Sequence, residues 1–441
     1  MKGTSRIETP SYVCGNCGHR SAKWMGFCAQ CRNQEALVET AAPRRSRQTV
    51  VVESVTAAPS AVRDRHPVGI GELDRVLGGG IVPGSVLLVG GEPGIGKSTL
   101  ILQAADRIAG SDGSVLYTTA EESVHQIQLR ARRIGVTSPG IEVASVYDVD
   151  DIIAAAGERH PGVLIVDSIQ MVSSAQVGGT VGGTAQVRES AARLIAFAKS
   201  SGVPLILVGH VTKDGSIAGP RTLEHMVDVV LYLEGDSDQG LRFLRGIKNR
   251  YGSVNEIGVF SMTQQGLEEV PDPSGLLTSQ RDASAPGSVL FPTVEGKRPM
   301  VVEVQALVVA TDMPQPRRAV TGLPTVRVHQ IIGVLERHAA LPLRSFEVYV
   351  SVMGGVKISE PAADLPVALA IASAFGEYSL GHTAAYGEVG LTGEIRPVVR
   401  AGVRNAEAER LGSGPIISPE RQGRLVDAMI ASGFTSARST G

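Results

Sequence analysis

The chain has 441 residues, of which 43% are hydrophobic and 20% are charged, and its formal net charge at pH 7 is −2. A chain of this length exceeds what one hydrophobic core usually organises, so we expect two or three domains. The charge balance excludes a uniformly basic nucleic-acid binder and restricts such contacts to local basic patches. Apolar runs are too short for a membrane span, and residues 1–6 lack the apolar core of a secretion signal, so we expect no membrane contact and a cytoplasmic location.

All four cysteines lie within the first 31 residues, in two Cys-x-x-Cys pairs that ten residues separate. Paired thiolates with this spacing are typical of a structural, tetrahedral Zn²⁺ site, whereas the alternative of two disulfides conflicts with a reducing cytoplasm. Residues between the pairs, Trp24 among them, could contact DNA or a partner, and a Trp packed over the metal is an equal alternative. We predict a linker over residues 36–64 and, before it, a zinc finger over residues 1–35 with the ligands Cys14, Cys17, Cys28 and Cys31.

A complete phosphate-loop motif, G-x-x-x-x-G-K-S/T, lies between an apolar strand at 86–90 and a helix at 100–109. Its glycines would let backbone N–H groups surround a polyphosphate, and the helix would direct its positive end at the same group. Lys97 would reach the outer phosphates, and Ser98 would offer a hydroxyl to Mg²⁺. The strand and the helix argue against an ordinary glycine-rich turn. The predicted nucleotide-binding residues are Gly91, Glu92, Pro93, Gly94, Ile95, Gly96, Lys97, Ser98 and Thr99.

Alternating strands and helices predict an α/β domain over residues 65–265, with a largely parallel sheet, helices on both faces and an antiparallel edge. Its strands are expected at 115–119, 162–167, 204–210, 228–233, 242–247 and 257–262, and its helices at 73–76, 124–134, 148–159 and 185–200. Residues 266–286 lack periodicity and are predicted to be a second linker. The last domain, over residues 287–441, is predicted to be α+β, with strands at 300–309, 346–352 and 384–392 and helices at 326–338, 365–375 and 400–411.

Carboxylates at the ends of two predicted strands suit nucleotide chemistry. Asp167 ends a buried strand and is expected to hold Mg²⁺ through water, with a strand-end cap as the alternative. Glu121 follows the neighbouring strand, at the edge where open α/β sheets bind ligands, and it could deprotonate the attacking water. Glu122 could take that part instead, or simply favour the first turn of a helix. His210 ends a further strand and could sense the γ-phosphate or be structural.

One further motif, Lys248-Asn249-Arg250-Tyr251-Gly252, completes a pattern that resembles the bacterial RadA (Sms) family of DNA repair proteins over essentially the whole chain. That family carries Lys-Asn-Arg-Phe-Gly, and Tyr for Phe keeps the aromatic ring. The resemblance implies a RecA-type ATPase core, a hexameric ring, and ATP, Mg²⁺ and Zn²⁺ as cofactors. It also implies a nucleoid-associated motor of helicase type that moves on single-stranded DNA and migrates branched recombination intermediates together with the recombinase RecA.

The same resemblance assigns residues. Glu121 matches the catalytic glutamate of RecA-type ATPases, and Lys248 and Arg250 would contact a neighbour's γ-phosphate or the DNA backbone, unless they form a solvated basic turn. Loops 173–184 and 212–222 lie where RecA-type proteins bind DNA. These loops suit phosphate contact but contain no aromatic residue for base stacking, and they could equally be connectors.

The C-terminal domain resembles the proteolytic domain of Lon protease, through residues 354–356 and 365–373. The matching stretch 361–364 has alanine at or next to the nucleophile position, Ser359 is offset, and no lysine stands at 393–400 where the base belongs. Because acyl transfer needs an activated hydroxyl, we predict an inactive scaffold for ring assembly. The alternatives to a DNA motor are an ATP-regulated protease and a nucleotide-gated module that acts on protein. A DNA-binding face of this domain could include Arg396, Arg400 and Arg404.

Overall fold

The computed structural model describes residues 11–14, 20–21, 24–32, 37–40, 65–111, 113–210, 223–235 and 240–435. The chain divides into two compact units, Met1–Val62 and Arg63–Gly441. None of the helices in the described ranges combines the length and the apolar character that a bilayer crossing requires.

The first unit contains a three-stranded antiparallel sheet. Its strands are β1 (Ser11–Cys14), β2 (Arg20–Ser21) and β3 (Leu37–Thr40). Strand β1 lies in the middle, and Cys14 stands opposite Leu37 of β3. Strand β3 therefore lies within residues 36–64, which the sequence predicts to be a linker. The difference arises because β3 is held by backbone pairing with β1, which leaves no periodic signal in four residues.

A nine-stranded sheet forms the centre of residues 65–269. Its strands are β4 (Val86–Gly91), β5 (Val115–Thr119), β6 (Ile141–Ser145), β7 (Val163–Asp167), β8 (Leu205–Val208), β9 (Val229–Glu234), β10 (Leu241–Asn249), β11 (Ile257–Thr263) and β12 (Gly266–Glu269). The order across the sheet is β12-β11-β10-β9-β4-β8-β7-β5-β6. The six strands from β9 to β6 run parallel, and β10, β11 and β12 form an antiparallel edge. The predicted α/β fold with a parallel core is confirmed.

Helices cover both faces of this sheet, because strand residues alternate between two apolar layers. In β4, Leu87 and Val89 join one buried cluster, and Val86 and Leu88 join the other. The first cluster contains residues of α1, α2 and α3, and the second contains residues of α4 and α5. These helices are α1 (Gly71–Leu77), α2 (Lys97–Gly110), α3 (Val124–Arg133), α4 (Val149–Arg159) and α5 (Thr184–Ser201).

The C-terminal part is an α+β arrangement around a six-stranded sheet of order β15-β16-β14-β13-β17-β20, with a separate hairpin. The sheet strands are β13 (Ser288–Glu295), β14 (Arg298–Ala310), β15 (Arg318–Thr321), β16 (Phe346–Val352), β17 (Ala384–Ala385) and β20 (Ile416–Ile417), and the hairpin pairs β18 (Glu388–Val389) with β19 (Ile395–Arg396). The helices after residue 270 are α6 (Pro273–Thr278), α7 (Thr325–His338), α8 (Asp364–Gly376), α9 (Ala401–Arg410) and α10 (Leu425–Ala431). Helix α8 is buried along residues 364–373, as its almost uninterrupted apolar sequence requires.

Two predicted elements of this region are corrected. Residues 266–286 are not an aperiodic linker, because they contain β12 and α6. The guanidinium of Arg298 anchors this segment by donating to the carbonyls of Val270 (3.1 Å) and Pro271 (2.9 Å), and it forms a buried ion pair with Glu72 of α1. The single strand predicted at 384–392 is two short strands, because the chain turns at Gly387.

Candidate functional site

The phosphate loop joins β4 to α2 at the carboxyl edge of the parallel strands. Gly91, Gly94 and Gly96 have φ angles of 153°, 77° and 114°, in the region that favours glycine. Space imposes the same requirement, because a Cβ on Gly91 would stand 2.5 Å from the carbonyl oxygen of Leu233. A Cβ on Gly96 would stand 2.7 Å from Cε of Met262. The loop therefore depends on glycine for its backbone angles at all three positions, and at Gly91 also for its packing against backbone.

Lys97 begins α2 and folds back into the loop. Its side chain is only 3% exposed, and Nζ donates to the carbonyls of Gly91 (2.9 Å) and Glu92 (2.8 Å). Burial lowers the pKa of Lys97 to about 8, although the carboxylates of Asp167 and Glu121 act in the opposite direction. The structure thus brings these two carboxylates and the ammonium into one electrostatic environment.

Asp167 ends β7 at the same edge and is 6% exposed. One of its carboxylate oxygens accepts a hydrogen bond from the hydroxyl of Tyr117, in the adjacent strand β5. Burial and the neighbouring Asp167 both raise the pKa of Tyr117 well above its usual value, so this tyrosine stays a donor. A carboxylate here and the hydroxyl of Ser98 supply the oxygen ligands that Mg²⁺ prefers. Tyr117 was not predicted as a site residue, because a polar ring in a buried strand was its only signal.

Glu121 and Glu122 follow β5 but have different partners. Oε1 of Glu121 accepts a hydrogen bond from Oγ of Ser168 and another from Nε2 of His210, at 3.1 Å. These bonds, that with His210 foremost, lower the pKa of Glu121 against the effect of burial. Glu122 instead forms an ion pair with Arg130 of α3. Only Glu121 of the two shares the electrostatic environment of Lys97, and its partner Ser168 was not predicted as a site residue.

The Lys-Asn-Arg-Tyr-Gly motif lies at the amino end of the parallel strands, whereas the phosphate loop lies at their carboxyl end. Asn249 pairs with Val229 at the start of β9, whereas Gly91 pairs with Leu233 near the end of the same strand. Four residues of extended chain separate the two positions by about 13 Å. The structure therefore does not bring Lys248 into the phosphate loop of its own chain.

Within the motif, Lys248 is half-buried rather than part of a fully solvated basic turn. Its ammonium donates to the carbonyls of Glu224 (2.7 Å) and Val227 (2.8 Å), and burial lowers its pKa. Arg250 is exposed, and its Nη1 lies 3.2 Å from Oδ1 of Asp228. Asp228 is buried and also accepts from the backbone N–H that begins β4, at 3.0 Å. This carboxylate links the motif to the strand that leads into the phosphate loop.

One of the two predicted DNA loops lies within the described residues. Residues 173–184 are anchored by Gln186 of α5, whose amide oxygen accepts from the N–H of Ser174 at 2.8 Å. The amide nitrogen of Gln186 donates to the carbonyl of the same serine at 3.3 Å. Residues 212–222 lie outside the described residues.

In the first unit, the Sγ atoms of Cys14, Cys28 and Cys31 lie within 4.8 Å of one another. The 3.6 Å between Cys14 and Cys31 excludes a disulfide between them and approaches the edge of about 3.8 Å in a tetrahedron with 2.3 Å Zn–S bonds. These thiolates fit Zn²⁺, and the fourth predicted ligand, Cys17, lies outside the described residues.

The C-terminal domain changes one prediction. Arg404 is 1% exposed, donates to the carbonyl of Pro292 at 2.7 Å and forms an ion pair with Glu360, so it cannot join an exposed DNA-binding face. Ser359 is exposed beside a cavity of about 220 Å³. Ala362, in the stretch that matches the nucleophile position of Lon, is buried.

A phosphate loop on a parallel sheet, with carboxylates at the carboxyl ends of β7 and β5, defines a P-loop ATPase, here with a zinc ribbon whose cysteines fit the metal. Residues 56–216 match the family model of the AAA domain, and residues 12–39 match the rubredoxin metal binding domain. The chain is 45% identical over 420 residues to DNA repair protein RadA of Bacillus subtilis and 46% identical over 418 residues to that of Pseudomonas aeruginosa, with 92% of each chain covered. It is 42% identical to that of Aquifex aeolicus, with 95% of each chain covered. The chain belongs to the RadA family of DNA repair proteins, and it is a DNA repair ATPase.

Proposed function

We propose that this chain is a DNA-stimulated ATP hydrolase of helicase type that moves on single-stranded DNA and migrates branched recombination intermediates. We further propose that it works in the cytoplasm, on the nucleoid, as a hexameric ring together with RecA. Its relatives' name, DNA repair protein, and the carboxylates beside its phosphate loop support a motor that uses ATP on DNA.

In this proposal, residues 91–99 hold the phosphates of ATP, and the Lys97 ammonium leaves the loop carbonyls to contact them. Ser98 and Asp167 would hold magnesium, which neutralises charge on the β- and γ-phosphates. Tyr117 fixes the orientation of Asp167 by donating to one oxygen. Glu121, ionised and held at two points, orients the attacking water and accepts its proton.

The observation that carries the proposal is the position of the two Glu121 partners in the chain. Ser168 lies five residues before loop 173–184, and His210 directly precedes the stretch that contains loop 212–222. A ligand that moves either loop would therefore change the hydrogen bonds of the carboxylate that activates water. Such an arrangement would make hydrolysis respond to DNA in the loops, which a constitutive ATPase does not need.

The position of the second motif supports a ring. Lys248 and Arg250 lie at the amino end of the parallel strands, and their own phosphate loop lies at the carboxyl end. A role at a γ-phosphate therefore requires a neighbouring copy. The link from Arg250 through Asp228 to the start of β4 would transmit that contact to the phosphate loop of the same chain. Hydrolysis would in this way depend on ring geometry.

The C-terminal domain would be a scaffold without peptidase activity. Ser359 is exposed, and Lys357, the only lysine after residue 297, is exposed as well and lies two residues away. Neighbouring Glu360 and Asp364 are engaged with Arg404 and Arg327, so neither is free to act as a base. No cleavage of a model substrate such as casein is expected.

The test compares ATP hydrolysis with and without single-stranded DNA in the wild type, Lys248→Ala and Lys97→Ala. We expect DNA to stimulate the wild type, Lys248→Ala to lose the stimulation, and Lys97→Ala to lose turnover. Hydrolysis that ignores DNA in both of the first two proteins would favour the alternative, a regulatory module that acts on protein. Undiminished hydrolysis in Lys97→Ala would refute the phosphate-loop assignment.

A further inference from the structure

The zinc ribbon, defined as residues 11–40, exposes three large apolar side chains within four residues. Trp24 is 61% exposed, Met25 is 43% exposed and Phe27 is 47% exposed. The next residue, Cys28, is fully buried at the cysteine cluster. Three exposed apolar side chains this close together indicate a surface that another molecule covers.

The turn that presents these side chains is fixed by its backbone. Gly26 has a φ of 67°, and a Cβ on it would lie 3.7 Å from Cη2 of Trp24, so the indole ring lies across this glycine. The N–H of Arg32 donates to the carbonyl of Cys28 at 2.8 Å, which closes the turn around the thiolates. The aromatic rings therefore stand on a braced turn, a rigid support of the kind that base stacking needs.

The two units of the chain differ in the sign of their net charge. Residues 1–62 contain eight Lys and Arg against four Glu and no Asp, whereas the remaining residues contain 34 Lys and Arg against 40 Asp and Glu. The unit with the exposed aromatic rings is thus positive, although the whole chain carries −2. Exposed aromatic side chains in a positive unit fit a polyanion with exposed bases better than they fit an apolar protein surface.

We propose that Trp24 and Phe27 form a stacking platform for the bases of single-stranded nucleic acid, in a unit whose net positive charge attracts the phosphates. This inference rests on the proposed function, because it takes DNA as the substrate. It assigns base contacts to the ribbon and leaves phosphate contacts to loops 173–184 and 212–222, which contain no aromatic residue. Stacking of this kind tolerates any sequence, since every base has an aromatic face.

Trp24 is the only tryptophan of the chain, so tryptophan emission of the full, zinc-loaded protein, excited at a wavelength that the eight tyrosines do not absorb, reports on this surface alone. The probes are a thymidine oligonucleotide and an abasic strand of the same length, which has the same phosphates without bases. We expect the thymidine strand to quench the emission and the abasic strand to leave it nearly unchanged. Phe27→Ala should weaken binding of the thymidine strand by about 5-fold to 150-fold, the range for loss of one stacking side chain.

Gln30→Ala, an exposed neutral position on the same turn, is the matched control and should bind like the wild type. One zinc per chain in each variant shows that the ribbon is folded. Equal quenching by both strands, or none by either at low salt, would overturn the inference. Emission that shifts to shorter wavelength with RecA and ignores both strands would overturn it too and assign the surface to a protein.

The same titration in Lys97→Ala separates this inference from the proposed function, because that variant should not hydrolyse ATP. Quenching by the thymidine strand in a wild type whose hydrolysis ignores DNA would support the platform and reject the motor. DNA-stimulated hydrolysis without quenching would do the reverse.

Discussion

Glu121 and His210 are joined by a hydrogen bond of 3.1 Å between Oε1 and Nε2, although 89 residues separate them in the chain. The contact exists because β5 and β8 lie on either side of β7, so that the residues after their carboxyl ends meet. It keeps the Glu121 carboxyl ionised at a lower pH than usual, because a hydrogen bond to the charged form lowers its pKa. The residue proposed to activate water is therefore hydrogen-bonded to a residue that lies just before a proposed DNA loop.

Glu121→Gln should lower kcat for ATP by about 10²-fold to 10⁴-fold while ATP still binds, because the amide cannot accept a proton from water. Glu122→Gln is the matched control, since Glu122 is paired with Arg130, and it should keep most of the activity. Steady-state hydrolysis and equilibrium binding of a fluorescent ATP analogue measure the two effects. A larger loss in Glu122→Gln than in Glu121→Gln would reverse the assignment.

His210→Ala should uncouple hydrolysis from DNA. Without its ring, Glu121 loses the hydrogen bond that most lowers its pKa, so the acid limb of the kcat profile should move to higher pH. The ratio of kcat with and without single-stranded DNA should fall towards one, because the residue just before the loop no longer touches the carboxylate. His210→Gln, whose amide can donate to the same oxygen, should restore part of both effects. A ratio and a pH profile equal to those of the wild type would show that the bond has no such part.

Much of the central fold could be predicted because its strands are short apolar runs and its phosphate loop is a motif. The burial of all six residues of β4 and the start of α2 after Gly96 are local consequences of sequence. Strand β6 was not predicted, because it lies at the sheet edge with half-buried residues and so lacks an apolar run. Its existence depends on pairing with β5, a tertiary contact that no local pattern records.

The positions of the candidate site residues were predictable where a motif or an apolar strand marks them, and less so where partners come from distant segments. Lys97 and Asp167 follow from motif and strand, whereas the bond from Ser168 to Glu121 depends on the order of strands across the sheet. Lys248 looks exposed in sequence, yet two carbonyls hold its ammonium. Arg404 carries a charge that is typical of the surface, yet it is buried. Its ion-pair partner there, Glu360, lies 44 residues earlier in the chain.

ATP affinity should fall as pH rises above about 8, because burial sets the pKa of Lys97 near that value. The triphosphate attracts the ammonium form, so binding raises the pKa of this lysine and takes up a proton at high pH. Affinity should be constant well below pH 8 and should fall up to about tenfold per pH unit above it. Lys97→Arg is the control, since its guanidinium keeps its charge across this range. A wild-type dissociation constant that is flat from pH 7 to 9.5 would contradict the expected ionisation of Lys97.

If the chain forms the proposed ring and Arg250 acts on a neighbour's nucleotide, a mixture of two inactive variants should regain activity. An Arg250→Ala chain keeps its phosphate loop, and a Lys97→Ala chain keeps Arg250, so an intact site forms where the first supplies the loop and the second the arginine. Random mixing in equal amounts makes roughly a quarter of the interfaces intact. Hydrolysis by the mixture should therefore rise well above the sum of the separate proteins.

Lys97→Ala mixed with Glu121→Gln is the matched control, because both changes fall in the site of one chain and no mixed interface is intact. Equal activity of the two mixtures would mean that Arg250 does not complete a neighbour's site, and its bond to Asp228 would then be its main contact.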